Sequence, residues 1–347
     1  MTATTRRTFL RHILLGLGAL MSASFLGNCA SKETTSPPAT SPPPSVAPTK
    51  APPVQMATSP AAAAATRIPA TPKPSPELVV ARGGDDPELL VRRALTALGG
   101  MERFVKRGDD VIVKPNICVA YHTYEYAATT NPWVVAALVK MSMEAGARRV
   151  RVMDFTNGGT PDEAYVKSGI REHVEAAGGQ MELMSTFKYV SADIPEGRDI
   201  RKWDIYEDIL KADVVINAGI LKHHSLTKLT MGMKNLMGVL KKDTRSQMHA
   251  NIGQRLADIA SRIHPTLTVV DAVRILTARG PSGGNLADVK KLDTVIVSPD
   301  LVAADSYGAT LFGMKPNDLG YIQAATAMGL GKSDLSGLRI EEISVGS

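Results

Sequence analysis

Residues 213–224 read DVVINAGILKHH, an apolar run that ends in a lysine and two histidines. A short run that is rich in Val and Ile, without polar alternation, is typical of a strand buried on both faces of a sheet. Ligands of α/β sheets bind beyond the carboxyl ends of the strands, which is where these basic residues stand. The stretch therefore predicts a buried strand with a ligand site at its end.

Strand and helix signals alternate on both sides of this run. Further apolar strands are predicted at 109–116, 148–155, 265–272 and 293–300, and helices at 131–147, 253–263 and 300–313. The stretch 156–170 is predicted to be a glycine turn that leads into a helix. Order is expected to begin near Glu77. The alternation predicts an α/β fold with a mostly parallel sheet covered by helices on both faces.

Composition and charge limit the function classes. The 347 residues are 44% hydrophobic and 21% charged, as in a globular protein. The formal net charge is +6, but without Arg6, Arg7 and Arg11 of the N-terminal segment 37 basic residues face 34 acidic ones, which leaves +3. So small an excess argues against a nucleic-acid partner. Because Cys29 and Cys118 are the two cysteines of the chain, an ordinary iron–sulfur cluster is not expected.

The N-terminal residues predict export from the cytoplasm. The run TRRTFL at 5–10 resembles the twin-arginine signal, and Leu26-Gly27-Asn28-Cys29 resembles a lipoprotein cleavage site with Asn28 in place of the usual small residue. The chain is therefore predicted to have three segments: a signal at 1–29, a disordered Pro/Ser/Thr/Ala-rich linker at 30–78, and an α/β domain at 79–347. The implied partners are the twin-arginine translocase and, through a lipidated Cys29, a membrane surface. Secretion without a lipid is the alternative.

The run KHHSLTKLTMGMKNLMG at 222–238 contains no acid and is the centre of the candidate site. One interpretation is a pocket for a small anion, such as the phosphate or carboxylate of a nucleotide-like cofactor or substrate. Its predicted binding residues are Asn116, Lys222, Lys228, Lys234, Asn235, Lys241, Lys242 and Arg245.

A second interpretation of the same run is a cofactor site with a divalent metal. His224 and His249 would supply imidazole ligands, and Lys234 would hold the cofactor covalently or tightly. Gly232 would let a flat ligand approach the backbone. Imidazole suits nickel, zinc, copper and iron alike, so these residues do not select the metal. A third interpretation is a solvated basic surface.

Other residues are assigned by their place in the predicted elements. Lys114 and Asp271 follow apolar strands and are predicted to assist catalysis together with Lys234. Asp305 is expected to bond near the start of its own helix. Cys118 is expected to be buried and inert.

The order of several motifs resembles the family called domain of unknown function 362. They are VIVKPN (111–116), GARRVRVMD (146–154), DVVINAGILKHH (213–224), MGMKNLMG (231–238), LADIA (256–260), TVVDAV (268–273), ARGPSGG (278–284) and SPDLVAADSYGATLFG (298–313). The resemblance covers most of 110–332. Some members carry ferredoxin cysteines that this chain lacks, so their electron-transfer role is not implied here.

A more distant resemblance is to nickel-dependent lactate racemase, in which a histidine and a lysine hold a nickel pincer nucleotide. His224 and Lys234, with Gly232 two residues before the lysine, have that spacing, and His249 follows. The leading hypothesis is therefore a cofactor- or metal-dependent enzyme that acts on a small organic acid or redox substrate. The alternative is a membrane-tethered protein that binds an anionic ligand without catalysis.

Overall fold

The structure, a computed structural model, describes residues 75–346. These residues all belong to one compact unit. The predicted signal at 1–29 and the linker up to residue 74 lie outside the described residues. The first strand begins at Leu78, close to the predicted start of order at Glu77. Between residues 75 and 346, no helix has the length and apolar character needed to cross a bilayer.

The strands and helices of the described residues alternate along much of the chain. The strands are β1 (Leu78–Arg82), β2 (Asp110–Pro115), β3 (Arg149–Val152), β4 (Gln180–Met181), β5 (Tyr189–Asp193), β6 (Lys202–Tyr206), β7 (Val214–His224), β8 (Lys228–Thr230), β9 (Leu267–Leu276), β10 (Val289–Ser298) and β11 (Ile340–Ser344). The helices are α1 (Pro87–Ala97), α2 (Pro132–Glu144), α3 (Pro161–Lys167), α4 (Ile170–Ala176), α5 (Glu207–Lys211), α6 (Gly232–Asn235), α7 (Lys242–Arg245), α8 (Ile252–Ile263), α9 (Leu301–Leu311) and α10 (Gly320–Ala327).

The main sheet has the strand order β11-β1-β10-β9-β7-β2-β3-β4, and β8 pairs with β7 beside this path. Neighbouring strands from β9 to β4 are parallel, whereas β10 is antiparallel to both β9 and β1. β5 and β6 form a separate antiparallel pair. The sheet is thus mostly parallel but mixed, which confirms the predicted α/β class.

Helices bury both faces of the sheet. Val79 and Val80 of β1 belong to different apolar clusters, and so do Val215 and Ile216 of β7, because successive residues of a strand point to opposite faces. One cluster receives apolar side chains from α8, α9 and α10, and the other from α1, α2 and α4. Since both faces are covered, the central strands are apolar throughout, which is the pattern that identified them in the sequence.

β7 is longer than predicted. The sequence suggested that the strand ends before Lys222, but β7 continues through His224. The extension pairs with β8 as an antiparallel hairpin, in which Lys222 faces Thr230 and His224 faces Lys228. The basic residues therefore stand on a regular strand, which gives each side chain a defined direction.

Candidate ligand-binding site

A cavity of about 460 Å³ lies beyond the carboxyl ends of β2, β3 and β7. This is the position at which open α/β sheets bind ligands. The loops after β2 and β3, the hairpin β7–β8, helix α6, and the segment around α7 form its walls. Eight of the predicted site residues line it: Asn116, Lys222, His224, Lys234, Asn235, Lys242, Arg245 and His249.

The base of the cavity is a buried ion pair. Lys114 Nζ lies 2.6 Å from Asp154 Oδ1 and also donates to Pro115 O and Asn235 Oδ1, both at 2.9 Å. Three acceptors match the three N–H groups of an ammonium ion. Burial lowers the pKa of Lys114, and the charge of Asp154 opposes that shift. Lys114 was predicted to assist catalysis, and a catalytic residue should line the cavity. Lys114 does not line it but supports its base from below.

Lys222 is a buried cation that has no carboxylate partner within residues 75–346. Its Nζ donates to Asn116 Oδ1 at 2.8 Å, to Ala128 O at 2.6 Å and to Pro281 O at 2.9 Å. The three neutral acceptors use all three N–H groups of the ammonium ion. Burial lowers the pKa of Lys222, so its charge is costly in this place. Lys222 thus contributes positive charge to the cavity and ties together the loops around it, rather than donating to a ligand.

Lys234 differs from the other two lysines. It lies on α6, lines the cavity and is partly buried, and its Nζ has no hydrogen-bond or ion-pair partner among the described residues. Burial and the nearby charge of Lys222 lower the pKa of Lys234 to about 8. About one-tenth of this amine is therefore unprotonated at pH 7, and it faces the cavity where a ligand would bind.

Arg245 and Phe155 form the outer wall. The guanidinium carbon of Arg245 lies 4.0 Å from the centre of the Phe155 ring, and Lys242 Nζ lies 5.8 Å from the same centre. Arg245 Nη2 donates to Leu240 O at 2.6 Å, but Arg245 Nε is buried and has no partner among the described residues. An unpaired buried N–H group is unfavourable, so a ligand acceptor at this atom would stabilise the wall.

The charges that line the cavity are strongly unbalanced. Lys222, Lys234, Lys242 and Arg245 are the lysine and arginine side chains of the lining, and Asp154 is the one carboxylate among the described lining residues. Because Asp154 is paired with Lys114, it does not neutralise these four cations. The cavity therefore favours an anionic ligand.

His224 does not fit the role of a metal ligand. Its Nδ1 accepts hydrogen bonds from the backbone N–H groups of Leu226 at 3.1 Å and Thr227 at 3.2 Å. Burial and the charge of Lys234 lower the pKa of His224 to about 3, so the ring is neutral. A neutral imidazole that accepts at Nδ1 carries its proton on Nε2. That nitrogen then acts as a donor and has no lone pair for a metal.

The surroundings of His224 also do not complete a metal site. His249 lies exposed at the rim, and residues 75–346 contain no group of three or more His, Cys, Asp or Glu side chains arranged to hold a metal ion. The predicted metal pair His224 and His249 therefore does not fit. As an Nε2–H donor, His224 suits an anion instead.

Four other predicted residues, Lys241 among them, do not line the cavity. Lys228 is exposed, and its Nζ donates to Asp318 O at 3.0 Å. Gly232 is buried against α9, where an added Cβ would lie 2.7 Å from Leu301 Cδ1. Asp271 lies inside β9 and accepts the backbone N–H groups of Asn131 and Val273. Burial raises the pKa of Asp271 to about 6, but no contact links it to the cavity.

Asp305 holds the turn that presents Lys234. Its Oδ1 accepts the N–H of Gly232 at 2.8 Å, and its Oδ2 accepts the N–H of Met233 at 2.9 Å. The expectation that Asp305 bonds near the start of its own helix is wrong, since it lies in the middle of α9 and reaches α6. Asn235 continues this support, because its Nδ2 donates to Lys114 O and Asn217 Oδ1.

Several residues that line the cavity are not among the predicted site residues. Asp154 and Phe155 follow β3 directly, and Cys118 and Tyr121 follow β2, so the rule that ligands bind at strand ends pointed to them. Cys118 is buried as expected, but it lines the cavity, with its Sγ 3.7 Å from Pro281 O. Thr230 also lines the cavity, and its buried Oγ1 has no partner among the described residues. No sequence pattern distinguished Thr230.

One curated relative is the Thylakoid-associated protein sll1697 of Synechocystis sp., which is 28% identical over 253 residues. The alignment covers 69% of this chain and 74% of that protein. Among solved structures, the lactate racemase apoprotein of Thermoanaerobacterium thermosaccharolyticum is 13% identical with a TM-score of 0.40, and it matches 62% of this chain. The chain spans about half of that racemase, 53% of its length. A protein from Thermotoga maritima is 12% identical with a TM-score of 0.40, over 67% of this chain and 60% of that one.

The family assignment rests on a sequence model rather than on single motifs. The model described as "Domain of unknown function (DUF362)" matches residues 111–310. That range extends from β2 to α9 and includes all the strands and helices that meet at the cavity. More than half of the chain is matched, which confirms the predicted family. The chain belongs to the DUF362 family.

Proposed function

We propose that the protein is an enzyme that binds a small organic acid in this cavity and uses the amine of Lys234 to react with it. The observation that carries the proposal is the Lys234 amine itself, which has no partner among the described residues and a pKa of about 8. A lysine with these properties suits a base or a nucleophile.

The anionic part of the proposal rests on the donors that remain available. Among residues 75–346, the side chains of Lys234 and Lys242 have no hydrogen-bond partner, the Nε–H of Arg245 is unpaired, and the remaining ring nitrogen of His224 is a donor. These groups surround a volume of about 460 Å³, which suits a small metabolite. Phosphate and carboxylate groups are the partners that such donors prefer.

The reactive part of the proposal rests on the state of the amine. An amine with a pKa of 8 is about one-tenth unprotonated at pH 7, whereas an ordinary lysine is almost fully protonated. Lys222 is fixed near Lys234 by three neutral acceptors, so its charge continues to oppose protonation of the amine. An anion bound by Arg245 and Lys242 would bring its neighbouring carbon atoms to this amine.

A second candidate function is the capture of an anion without catalysis. One observation favours it: Asp154 is paired and His224 has a pKa of about 3, so neither is suited to accept a proton near neutral pH. A binding protein needs no such partner. Its affinity would fall steeply with salt, because screening weakens the attraction between charges.

The state of Lys234 is tested with pyridoxal 5′-phosphate, an aldehyde that carries a phosphate, followed by borohydride reduction at pH 8. We expect the label on Lys234, and we expect sulfate to protect it by competing for the cations. Lys228 is the matched control, because it lies nearby in the sequence but outside the cavity. Labelling of Lys228 as fast as Lys234, or labelling that sulfate does not slow, would contradict the proposal.

The choice between enzyme and binding protein needs a readout of chemistry. Exchange of the C3 protons of pyruvate and 2-oxoglutarate is followed in D₂O by proton NMR. We expect the wild type to accelerate the exchange and Lys234→Arg, which keeps the charge but not the reactive amine, to abolish the acceleration. Sulfate binding without any acceleration would favour the anion-binding protein.

We also propose, from residues 1–29, that the protein acts outside the cytoplasm and is tethered through Cys29. Replacement of Arg6 and Arg7 by lysine should then retain the protein in the cytoplasm in a fractionation experiment. Cys29→Ser should release the exported protein from the membrane fraction. Unchanged distribution of either variant would contradict the corresponding part of this proposal.

A further inference from the structure

Tyr121 is an exposed aromatic ring at the edge of the cavity. Its side chain is 57% exposed, although most large apolar side chains of the described residues are buried. Seven large hydrophobic residues are exposed in this part of the chain, and Tyr121 is the one among them that also lines the cavity. Single exposed apolar residues are common, so the position of the ring rather than its exposure needs an explanation.

The ring is held in place rather than free to swing. A Cβ at Gly158 would lie 2.9 Å from Tyr121 Cε1, so the ring packs directly on the glycine backbone. That backbone is itself fixed, because Gly158 O accepts the N–H of Ala120 at 2.7 Å. On another side, the ring of His122 makes an edge-to-face contact with Tyr121, with centroids 4.7 Å apart, and stacks on Tyr126 at 4.4 Å.

Gly158 lines the cavity as well, so the backbone that supports the ring is part of the wall. A fixed aromatic ring thus stands beside a cavity that is lined by four lysine and arginine side chains. An anion alone would use the cations and leave the ring without a function. A ligand that has both an anionic group and a flat ring would use both, since aromatic side chains stack on planar rings with little regard to their identity.

We infer that the ligand of this cavity is an organic anion with a planar aromatic ring, of the class of nucleotides and other aryl or heteroaryl phosphates and carboxylates. Its anionic group contacts Lys234 and Arg245, and its ring stacks on Tyr121. The inference rests on the proposed function, because it takes the cationic cavity as the binding site and specifies which part of the ligand lies at the edge of the cavity, next to Tyr121.

The test compares two probes that differ in the ring alone. AMP and ribose 5-phosphate share the sugar and the phosphate, and only AMP has a base. Isothermal titration should show AMP binding about tenfold tighter or more, the gain expected for one stacked base. Tyr121→Ala should bring the two affinities together, whereas Tyr121→Phe, which keeps the ring and loses the hydroxyl, should preserve the difference. Phe187→Ala, at an exposed aromatic that does not line the cavity, is the control.

Each outcome has one meaning. Equal affinities of the wild type for AMP and ribose 5-phosphate would overturn this inference and leave the anion site intact. A preference for AMP that survives Tyr121→Ala would overturn the assignment of the ring to Tyr121. No binding of either probe, together with no labelling of Lys234 by pyridoxal 5′-phosphate, would overturn the proposed function and this inference with it.

Discussion

Lys114 Nζ lies 2.6 Å from Asp154 Oδ1, and each of the two side chains is only 1% exposed. Asp154 Oδ2 accepts the N–H of Ile117 at 2.6 Å, and Lys114 also reaches Asn235 on α6. The pair therefore joins the ends of β2 and β3 to the helix that presents Lys234. It neutralises itself, which leaves the cations above it free to attract a ligand.

Removal of one partner of this pair should destabilise the protein strongly. Lys114→Met leaves the Asp154 carboxylate buried without its counter-charge, so the free energy of unfolding should fall by about 3–5 kcal/mol. Urea unfolding at neutral pH measures the change. Lys228→Met, at an exposed lysine, should have little effect. A loss as small for Lys114→Met as for Lys228→Met would show that the pair does not contribute to stability.

Gly238 is required by its distance from the same ion pair. A Cβ at this position would collide with Asp154 Oδ1 and Lys114 Nζ, which are buried and already hydrogen-bonded. Gly238→Ala should therefore lower the melting temperature and weaken sulfate binding together. Gly320→Ala is the matched control, since an added Cβ there meets no atom within 4 Å. Equal melting temperatures of the two variants would refute the collision.

Asp305 should make stability depend on pH. Burial raises the pKa of Asp305 to about 7 from an ordinary value of 3.8, although the two N–H groups of α6 oppose the shift. The folded protein thus keeps a proton that the unfolded chain has released. The stability linked to this proton is complete below pH 3.8 and is lost as the pH rises through about 7.

The variant Asp305→Asn cannot titrate at this position. We expect the unfolding free energy of the wild type, relative to this variant, to fall between pH 5 and pH 8 in urea titrations. The control is Asp85→Asn, at an exposed residue, which leaves Asp305 in place and should keep the pH trend of the wild type. A constant difference between wild type and Asp305→Asn across this range would contradict the prediction.

Because of Lys234, the affinity of the cavity for an anion should fall as the pH rises. Its pKa of about 8 means that the amine loses its charge as the pH rises through that value. Sulfate, whose charge is constant there, should bind about tenfold more weakly at pH 9.5 than at pH 7, which corresponds to one charge-assisted hydrogen bond of about 1.5 kcal/mol. Lys234→Arg, which remains charged, should remove the dependence. Calorimetric titration that shows the same slope for both proteins would contradict the assignment.

Phe155 should affect affinity through Arg245. Phe155→Leu removes the ring on which the guanidinium lies at 4.0 Å but keeps an apolar side chain. Because such a contact contributes about 0.5–1 kcal/mol, sulfate should bind about two- to fivefold more weakly. Phe187→Leu, at a residue that does not line the cavity, should bind sulfate as the wild type does. An unchanged affinity of Phe155→Leu would show that the ring does not orient Arg245.

Local sequence determined the elements of this protein and the general position of the site. Strands such as β7 and β9 are apolar throughout because both faces of the sheet are covered, and this pattern needs no tertiary information to be recognised. The start of α2 follows from Pro132 and its Asn131 cap. The gathering of Lys222, Lys234 and Arg245 near the end of β7 was likewise predicted, because they are close in the sequence and lie in or after the last part of one strand.

Tertiary structure alone decided which of these residues is available to a ligand. Lys222, Lys228 and Lys234 look alike in the sequence, but Lys222 is occupied by three distant acceptors and Lys228 is turned away to Asp318. Lys234 has no side-chain partner in the described part of the chain, because α6, held by Asp305 from a distant helix, places it in the cavity. Hydrogen-bond partners and burial come from residues far apart in the chain, and these set the charge state and reach of a lysine, whereas its own neighbours in the sequence do not.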